Sequence, residues 1–301
     1  DVTATSGIKT SDWEYPKQRD RHGASCADFD NDGNLDLFIS HGAKKGQTLG
    51  IKHDDLLKGN GDFTFSEVTR TAGTLNQFGR SRASIWFDYD KDGWLDLYVL
   101  NLRSDNVMYR NNGDGTFTDV TAETGLGLKA FRAAPADFDQ DGNIDLLVSW
   151  PLKLFRNNGS GHFVELKKSE FAFSGQSSYD IAWGDADNDG DLDVIITHQF
   201  KSASYYETVL ESSPAWIKIK LLGDGKHVTM DAVGAKVVVN YGDHQQTKWV
   251  QNTTGFSGQG ERNLVIGLGD YTGKVSVQVK WLDGTVSDFN DLETRKSHQL
   301  E

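Results

Sequence analysis

Asp28, Asp30, Asp32 and Asp36 occupy positions 1, 3, 5 and 9 of a nine-residue stretch with Gly33 at position 6. The arrangement recurs three times. Asp88, Asp90, Asp92 and Asp96 surround Gly93; Asp137, Asp139, Asp141 and Asp145 surround Gly142; Asp185, Asp187, Asp189 and Asp193 surround Gly190. Successive copies begin 60, 49 and 48 residues apart. Any fold of this chain must therefore build one supersecondary unit four times and give each crowded set of carboxylates a counter-charge.

Alternate carboxylates on a tight loop suit calcium, a hard cation that takes six to eight oxygens at roughly 2.3–2.6 Å. Glycine at position 6 permits the sharp turn. Position 7 serves through its backbone carbonyl and so accepts any side chain, here Asn34, Trp94, Asn143 and Asp191. An EF-hand would need a Glu at position 12 and flanking helices. Position 12 is instead Ile39, Val99, Val148 and Ile196, inside β-branched and aromatic runs that read as buried strands. Plain Asp-Gly hairpin turns would account for one copy but not for four with a shared spacing. The expectation is four calcium ions in strand-loop-strand sites.

Between loops the chain repeats a second phrase, Glu67-Val68-Thr69 before Gly73 and Asp119-Val120-Thr121 before Gly125, each after a glycine-rich turn and an aromatic residue. A looser copy is Asn158–Phe163 followed by Val164-Glu165-Leu166. One repeat reads as an inner strand, a calcium loop, a second strand, a third strand, a tight turn and an outer strand. That is a four-stranded propeller blade, and its period is that of a propeller rather than a helical solenoid. The fourth blade, residues 179–210, lacks an outer strand, whereas Asp1-Val2-Thr3 is an outer strand without a blade. Pairing them closes a four-bladed ring and removes two sheet edges. Position −2 before each loop is Cys26, Trp86, Pro135 and Trp183, with the tryptophans expected between blades and Cys26 as a small buried core residue.

After Pro214 the aspartate loops stop and alternating strands take over, including Trp216–Leu221, Ala235–Val239 and Lys274–Val279. The expected division is a propeller over residues 1–212 and a small β-sandwich or barrel of about six strands over 213–301, all-β throughout. The net charge of −13 lies wholly in residues 1–214, which hold 34 acidic and 21 basic residues against 10 of each in the remainder. Four calcium ions would offset most of it, so the acidity reads as metal-ligand chemistry, and nucleic acid is an improbable partner. No apolar run approaches the roughly 20 residues of a membrane helix. Cys26 is the only cysteine, so no internal disulfide can form. The start at Asp1, without Met or an apolar leader, suggests a processed secreted chain or a trimmed one, and loops without the position-12 Glu suit the millimolar calcium outside cells.

The stretches Trp86–Val99 and Gly113–Ala122 resemble FG-GAP/VCBS repeats, the calcium-binding propeller blades also found in integrin α-chain heads. The tail, with Asp231-Ala232-Val233-Gly234, Gly255–Gln259, Leu268-Gly269-Asp270 and Val277–Val286, resembles the ASPIC/UnbV domain that follows such repeats in cartilage-acidic-protein-like chains. The resemblance implies an extracellular calcium-binding protein of the adhesion or matrix kind, without catalytic residues. Relatives usually carry about seven blades. Four loops here mean either a compact ring, the expectation, or the remnant of a larger propeller.

Three functions compete. The first is a secreted structural or adhesion protein working through contacts with an extracellular protein or its own copies, extending to polymers. A face opposite the calcium loops, carrying Trp13, Tyr15, Arg80, Arg82, Arg132, Lys44, Lys45 and Lys52, is the candidate contact surface. The second is a calcium-dependent lectin, with Trp13, Trp94 or Trp150 stacking on sugar rings. The third, an enzyme, finds no support: there is no His-x-x-x-His pair and no Gly-x-Ser-x-Gly.

Overall fold

The structure, a computed structural model, describes residues 5–8, 21–42, 53–130, 132–167, 178–210, 214–251 and 260–301. Four sheets follow one another along the chain. Sheet 1 comprises β1 (Arg21–Ala27), β2 (Asp36–His41), β3 (Asp55–Gly59) and β4 (Phe65–Glu67), paired in that order. Sheet 2 repeats it with β5 (Ser81–Phe87), β6 (Asp96–Asn101), β7 (Val107–Asn111) and β8 (Phe117–Asp119). Sheet 3 does so with β9 (Arg132–Ala136), β10 (Asp145–Ser149), β11 (Lys153–Asn157) and β12 (Phe163–Glu165). Among the described residues sheet 4 has three strands, β13 (Ser178–Gly184), β14 (Asp193–His198) and β15 (Lys201–Tyr206).

Every pairing in these sheets is antiparallel, and β1/β2, β5/β6, β9/β10 and β13/β14 flank the four loops as hairpins. The strands alternate between two apolar faces because consecutive side chains point to opposite sides. Phe38 and Leu56 of sheet 1 pack on Trp86, Leu97, Val99 and Tyr109 of sheet 2. Ile85, Tyr98 and Met108 leave the other side of sheet 2 to meet Leu146, Val148 and Phe155 of sheet 3. Leu147 and Leu154 in turn pack on Ile181, Trp183, Val194 and Ile196 of sheet 4. With both faces covered, these strands lose their polar alternation; each fully buried aliphatic or aromatic side chain contributes about 1.5–3 kcal/mol. Polar ties reinforce the stacking. Asn111 Nδ2 donates to the Phe29 carbonyl (2.8 Å), and Asn157 Nδ2 to the Tyr89 carbonyl (2.7 Å), so the end of each third strand holds the preceding loop.

Trp86 and Trp183 sit between sheets as expected, donating to Ser25 Oγ and to the Ala134 carbonyl, both at 3.0 Å. Cys26 does not. It is exposed, and among the described residues no sheet precedes sheet 1 along the chain.

The Val-Thr phrases open single helical turns, α1 (Thr69–Ala72) and α2 (Thr121–Thr124), so the outer strands stop at Glu67 and Asp119. Each turn ends on a glycine in the left-handed region, Gly73 (φ 82°) and Gly125 (φ 76°). These press on the Phe117 and Phe163 carbonyls of the next sheet. Gly7 (φ 71°) stands in the same relation to Phe65, and the Ser6 carbonyl accepts from Phe65 N at 2.7 Å. The proposed closing strand at residues 1–3 lies outside the described residues.

Among the described residues the remaining strands number seven, against about six expected: β16 (Ala215–Leu221), β17 (Lys236–Tyr241), β18 (His244–Trp249), β19 (Leu264–Gly269), β20 (Val275–Lys280), β21 (Val286–Leu292) and β22 (Lys296–Leu300). They form two sheets, ordered β19-β16-β22 and β18-β17-β20-β21. One core of Ile217, Ile219, Val237, Val239, Ile266, Val277, Val279 and Trp281 lies between them. Among the described residues no helix is long and apolar enough to cross a membrane.

Candidate metal centre

Each loop is drawn closed by its own carboxylates. Asp28 accepts the amides of Asp32 (2.9 Å) and Gly33 (3.0 Å), and Asp88 those of Asp92 (3.1 Å) and Gly93 (3.0 Å). Asp137 accepts Gly142 N at 3.0 Å and Asp185 accepts Gly190 N at 3.3 Å. Position 9 reaches both ways. Asp36 accepts Phe29 N (2.9 Å) and Gly59 N (2.8 Å), tying the loop to the third strand. Asp96 does the same for Tyr89 and Asn111, Asp145 for Phe138 and Asn157, and Asp193 for Ala186 and Thr208. That structural duty of position 9 was not evident from the spacing.

Position 4 carries a second backbone signature. Asn31, Lys91, Gln140 and Asn188 all lie at φ between 56° and 64°, a region uncommon for side-chain-bearing residues. Only the two asparagines hinted at it.

The carboxylates converge as the spacing required. Asp28, Asp30 and Asp32 in loop 1, and Asp185, Asp187 and Asp189 in loop 4, each offer an oxygen within 4.8 Å of the others. In loops 2 and 3 the closest triples take position 9 in place of position 5: Asp88, Asp90, Asp96 and Asp137, Asp139, Asp145. At position 7, Asn34 and Asn143 turn their amides back onto Asp32 and Asp141 (3.0 and 2.8 Å), Trp94 packs over Gly113, and Asp191 is buried.

The electrostatics describe sites where a cation would relieve burial and repulsion. Burial, followed by repulsion from neighbouring carboxylates, pushes Asp36 up to about 8, Asp88 and Asp137 to about 7 and Asp145 to about 9, against opposing backbone hydrogen bonds. Asp96 is raised well above its ordinary range for the same reason. Buried Oδ1 atoms of Asp30, Asp137 and Asp191 have no hydrogen-bond partner. Hard, crowded oxygens with lone pairs to spare fit calcium, and the residues that would hold it are those at positions 1, 3, 5 and 9 with the position-7 carbonyl.

Basic groups already crowd these carboxylates. Lys58 of β3 pairs with Asp30 and with Asp32 (2.9 Å), and Arg156 of β11 pairs with Asp139 (2.8 Å). In loop 4 the cation comes from elsewhere: Lys218 of β16 lies 3.1 Å from Asp185 Oδ2 and 2.8 Å from Glu261 Oε1, with its side chain 6% exposed. Burial acts to lower the Lys218 pKa, but the Glu261 and Asp185 carboxylates outweigh it and the net shift is upward.

Lys218 is one of several contacts that seat the C-terminal strands on all four loops. Lys280 Nζ donates to the Asn31 carbonyl (2.9 Å), and Lys236 Nζ to that of Gly93 (2.7 Å). Gln140 of loop 3 lies against Gly267, and Trp216 covers Gly190 of loop 4. Glu261 accepts Asp185 N at 3.1 Å, while its own amide donates to the Trp183 carbonyl. No motif in the sequence announces this arrangement.

The opposite side of the sheets differs from expectation. Arg82 and Arg132 are buried, 9% and 1% exposed, and Arg132 stacks on the Tyr179 ring at 3.8 Å, so neither presents a basic surface. Trp13, Tyr15, Lys44, Lys45 and Lys52 lie outside the described residues. Nearby, Asp54 accepts from His41 N (2.7 Å), Ser81 Oγ and Asn76 Nδ2 (2.7 Å), while His41 Nε2 meets Asp55 at 2.8 Å. His41, Asp54, Asp55 and Ser81 are each at most 3% exposed, which makes the cluster a clamp between sheets 1 and 2 rather than a site open to substrate.

Comparison with known proteins agrees with this geometry. The FG-GAP-like repeat profile matches residues 28–99, 88–148 and 149–196, and the ASPIC and UnbV profile matches residues 225–301. Cartilage acidic protein 1 of Xenopus tropicalis is 27% identical over 187 residues, 58% of this chain and 29% of that protein. The Homo sapiens protein of the same name is 25% identical over 264 residues, 82% of this chain and 37% of that one. The chain thus spans about a third of the length of these relatives. Two solved structures align at low scores that carry no argument. The V. cholerae biofilm matrix protein Bap1 does so with 12% identity over 91% of this chain and 60% of its own (TM-score 0.35). A mutant of AofleA from Arthrobotrys oligospora does so with 9% identity over 93% and 86% (TM-score 0.39). With four aspartate loops of one geometry and both profiles in tandem, this chain belongs to the FG-GAP-like repeat family and carries an ASPIC and UnbV domain.

Proposed function

We propose that this chain is an extracellular calcium-binding contact protein whose four loop-bearing sheets are propeller blades. One calcium ion per loop rigidifies them, and the assembly works by binding a protein partner or its own copies rather than by turning over substrate. The observation that carries the reading is the set of four carboxylate clusters, two of which contain a buried oxygen without a hydrogen-bond partner, Asp30 Oδ1 and Asp137 Oδ1. A cation would satisfy those oxygens and relieve the repulsion that raises the neighbouring carboxyl groups. The likeness to cartilage acidic protein 1 supports the extracellular, protein-contact part of the reading.

The seating of Lys218, Lys236 and Lys280 on the loops adds a consequence: calcium acts on the contact between the two halves of the chain as well as within each loop. Calorimetric titration of metal-free protein should give four calcium ions per chain. Fewer than three would reject the site assignment. Sedimentation with and without calcium tests the contact function, which fails if the loaded protein binds no protein and stays monomeric at high concentration.

A further inference from the structure

Position 7 is Asn34, Trp94 and Asn143 in the first three loops and Asp191 in the fourth. Calcium asks only for the backbone carbonyl there. The Asp191 carboxylate is also not among the three that converge in loop 4, those of Asp185, Asp187 and Asp189. Yet Asp191 is 7% exposed, and its Oδ1 has no hydrogen-bond partner. A buried carboxylate oxygen without a donor is costly, so it calls for a partner that the calcium reading does not supply.

A second oxygen beside it is in the same condition. Gln140 of loop 3, 3% exposed, donates through Nε2 to the Gly190 carbonyl. That bond fixes the amide so that Oε1 is left to accept, and Oε1 has no partner either. Gln140 and Asp191 line one cavity of about 340 Å³, where loops 3 and 4, the segment after β15 and the start of β16 meet. Asp189 and Glu207 add two carboxylates to its wall, against one basic residue, Arg295. Trp216, Leu210 and Pro214 give it an apolar side. Trp216 is seated on Gly190 (φ 95°), where a Cβ would strike its ring, and its carbonyl accepts the Arg295 amide at 2.6 Å.

The wall combines acceptors without donors, an excess of negative charge and an aromatic ring. A metal ion answers only the first two, since it gathers its oxygens within about 2.6 Å and would leave the apolar side wet. A guanidinium prefers both oxygens of one carboxylate, and here the two orphaned oxygens sit on different side chains. A primary ammonium on an alkyl chain answers all three. It brings three donors and no acceptor, and its stem and charge both suit an aromatic wall.

We propose that this cavity binds an alkylammonium group, its charge held by Asp191 and Gln140 with Glu207 alongside, and its stem against Trp216, Leu210 and Pro214. A lysine of a protein partner and a free polyamine share this chemistry. The site uses the side chain of Asp191 rather than its carbonyl, so it goes beyond the reading of the loops as calcium sites and stands apart from it.

Calorimetric titration of the 301-residue chain in millimolar calcium tests the proposal with small probes. Pentylamine should bind once per chain with a millimolar or lower Kd, and pentanol, which has the stem without the charge, about tenfold or more weakly. Asp191→Asn, which installs the residue that loops 1 and 3 carry, and Gln140→Leu should each weaken pentylamine about tenfold or more. Comparing Nα-acetyl-lysine amide with spermidine assigns the source: a tighter lysine analogue points to a partner's side chain, tighter spermidine to a free amine, and both uphold the site. Pentanol binding as well as pentylamine would reduce the cavity to an apolar pocket and overturn the proposal. An arginine analogue that outbinds the lysine one would overturn it too. If Asp191→Asn weakens calcium at loop 4 while pentylamine binds as before, the orphaned oxygen belongs to the metal and the proposal falls. If pentylamine does not bind at all, the proposal falls and the calcium reading stands.

Discussion

Replacing Lys218 by Met tests whether an ammonium group and a divalent cation share the fourth loop. The Lys218 side chain is 6% exposed, its partner Asp185 0% and its partner Glu261 22%. Removing one member of a buried ion pair strands the other and typically costs 3–5 kcal/mol. The partly wet Glu261 places this case near the lower end, about 3 kcal/mol, or a fall of about 6–12 °C in melting temperature. That applies to metal-free protein. With calcium on Asp185 the ion supplies the missing charge, so the loss should shrink to about 1 kcal/mol for the Glu261 side. Closing the thermodynamic cycle, the difference of about 2 kcal/mol must appear as about 30-fold tighter calcium binding at loop 4 in the variant. Urea unfolding in chelator and in millimolar calcium, together with calorimetric titration, measures all four sides. Equal destabilisation in both conditions with unchanged affinity would refute the reasoning, since Lys218 and the cation would then not compete for the same oxygens.

Asp137→Ala should empty the third loop while calorimetry still counts three ions, because each cluster is built from its own loop. Metal-free protein should lose stability as pH rises. Asp36 and Asp145, at about 8 and about 9, keep protons that unfolded carboxyls release near pH 4. Their contribution is complete below pH 4 and gone above pH 9, so thermal scans in chelator from pH 5 to 9 should show a falling melting temperature. Calcium should flatten that slope, and a rising one would contradict the burial of these groups. Trp183→Ala should cost about 3–5 kcal/mol for the lost packing and more for the stranded Ala134 carbonyl. Trp150→Ala, at a residue 51% exposed, should cost under about 1 kcal/mol. Chemical denaturation that ranks the two alike would speak against the stacked-sheet core.

The sequence alone determined the four loops, their hairpins and the alternation that gives each strand two apolar faces. These features are local: period-two patterning, glycine at position 6 and carboxylates two residues apart act within ten residues of chain. It also determined that Trp86 and Trp183 sit between sheets, because a large apolar residue on an inner strand has no other place to go. Tertiary structure decided the rest. Cys26 looks like Trp86 and Trp183 by position, yet it is exposed, since its burial depends on a neighbouring sheet rather than on the residue itself. Arg82 and Arg132 look like surface charge and are buried, because the packing of adjacent sheets closes over them. The seating of Lys218, Lys236 and Lys280 on loops 30 to about 250 residues away has no local signal. An alternating strand carries lysines on its polar side whether that side meets water or a set of carboxylate loops, and only the docking of one half of the chain on the other decides which.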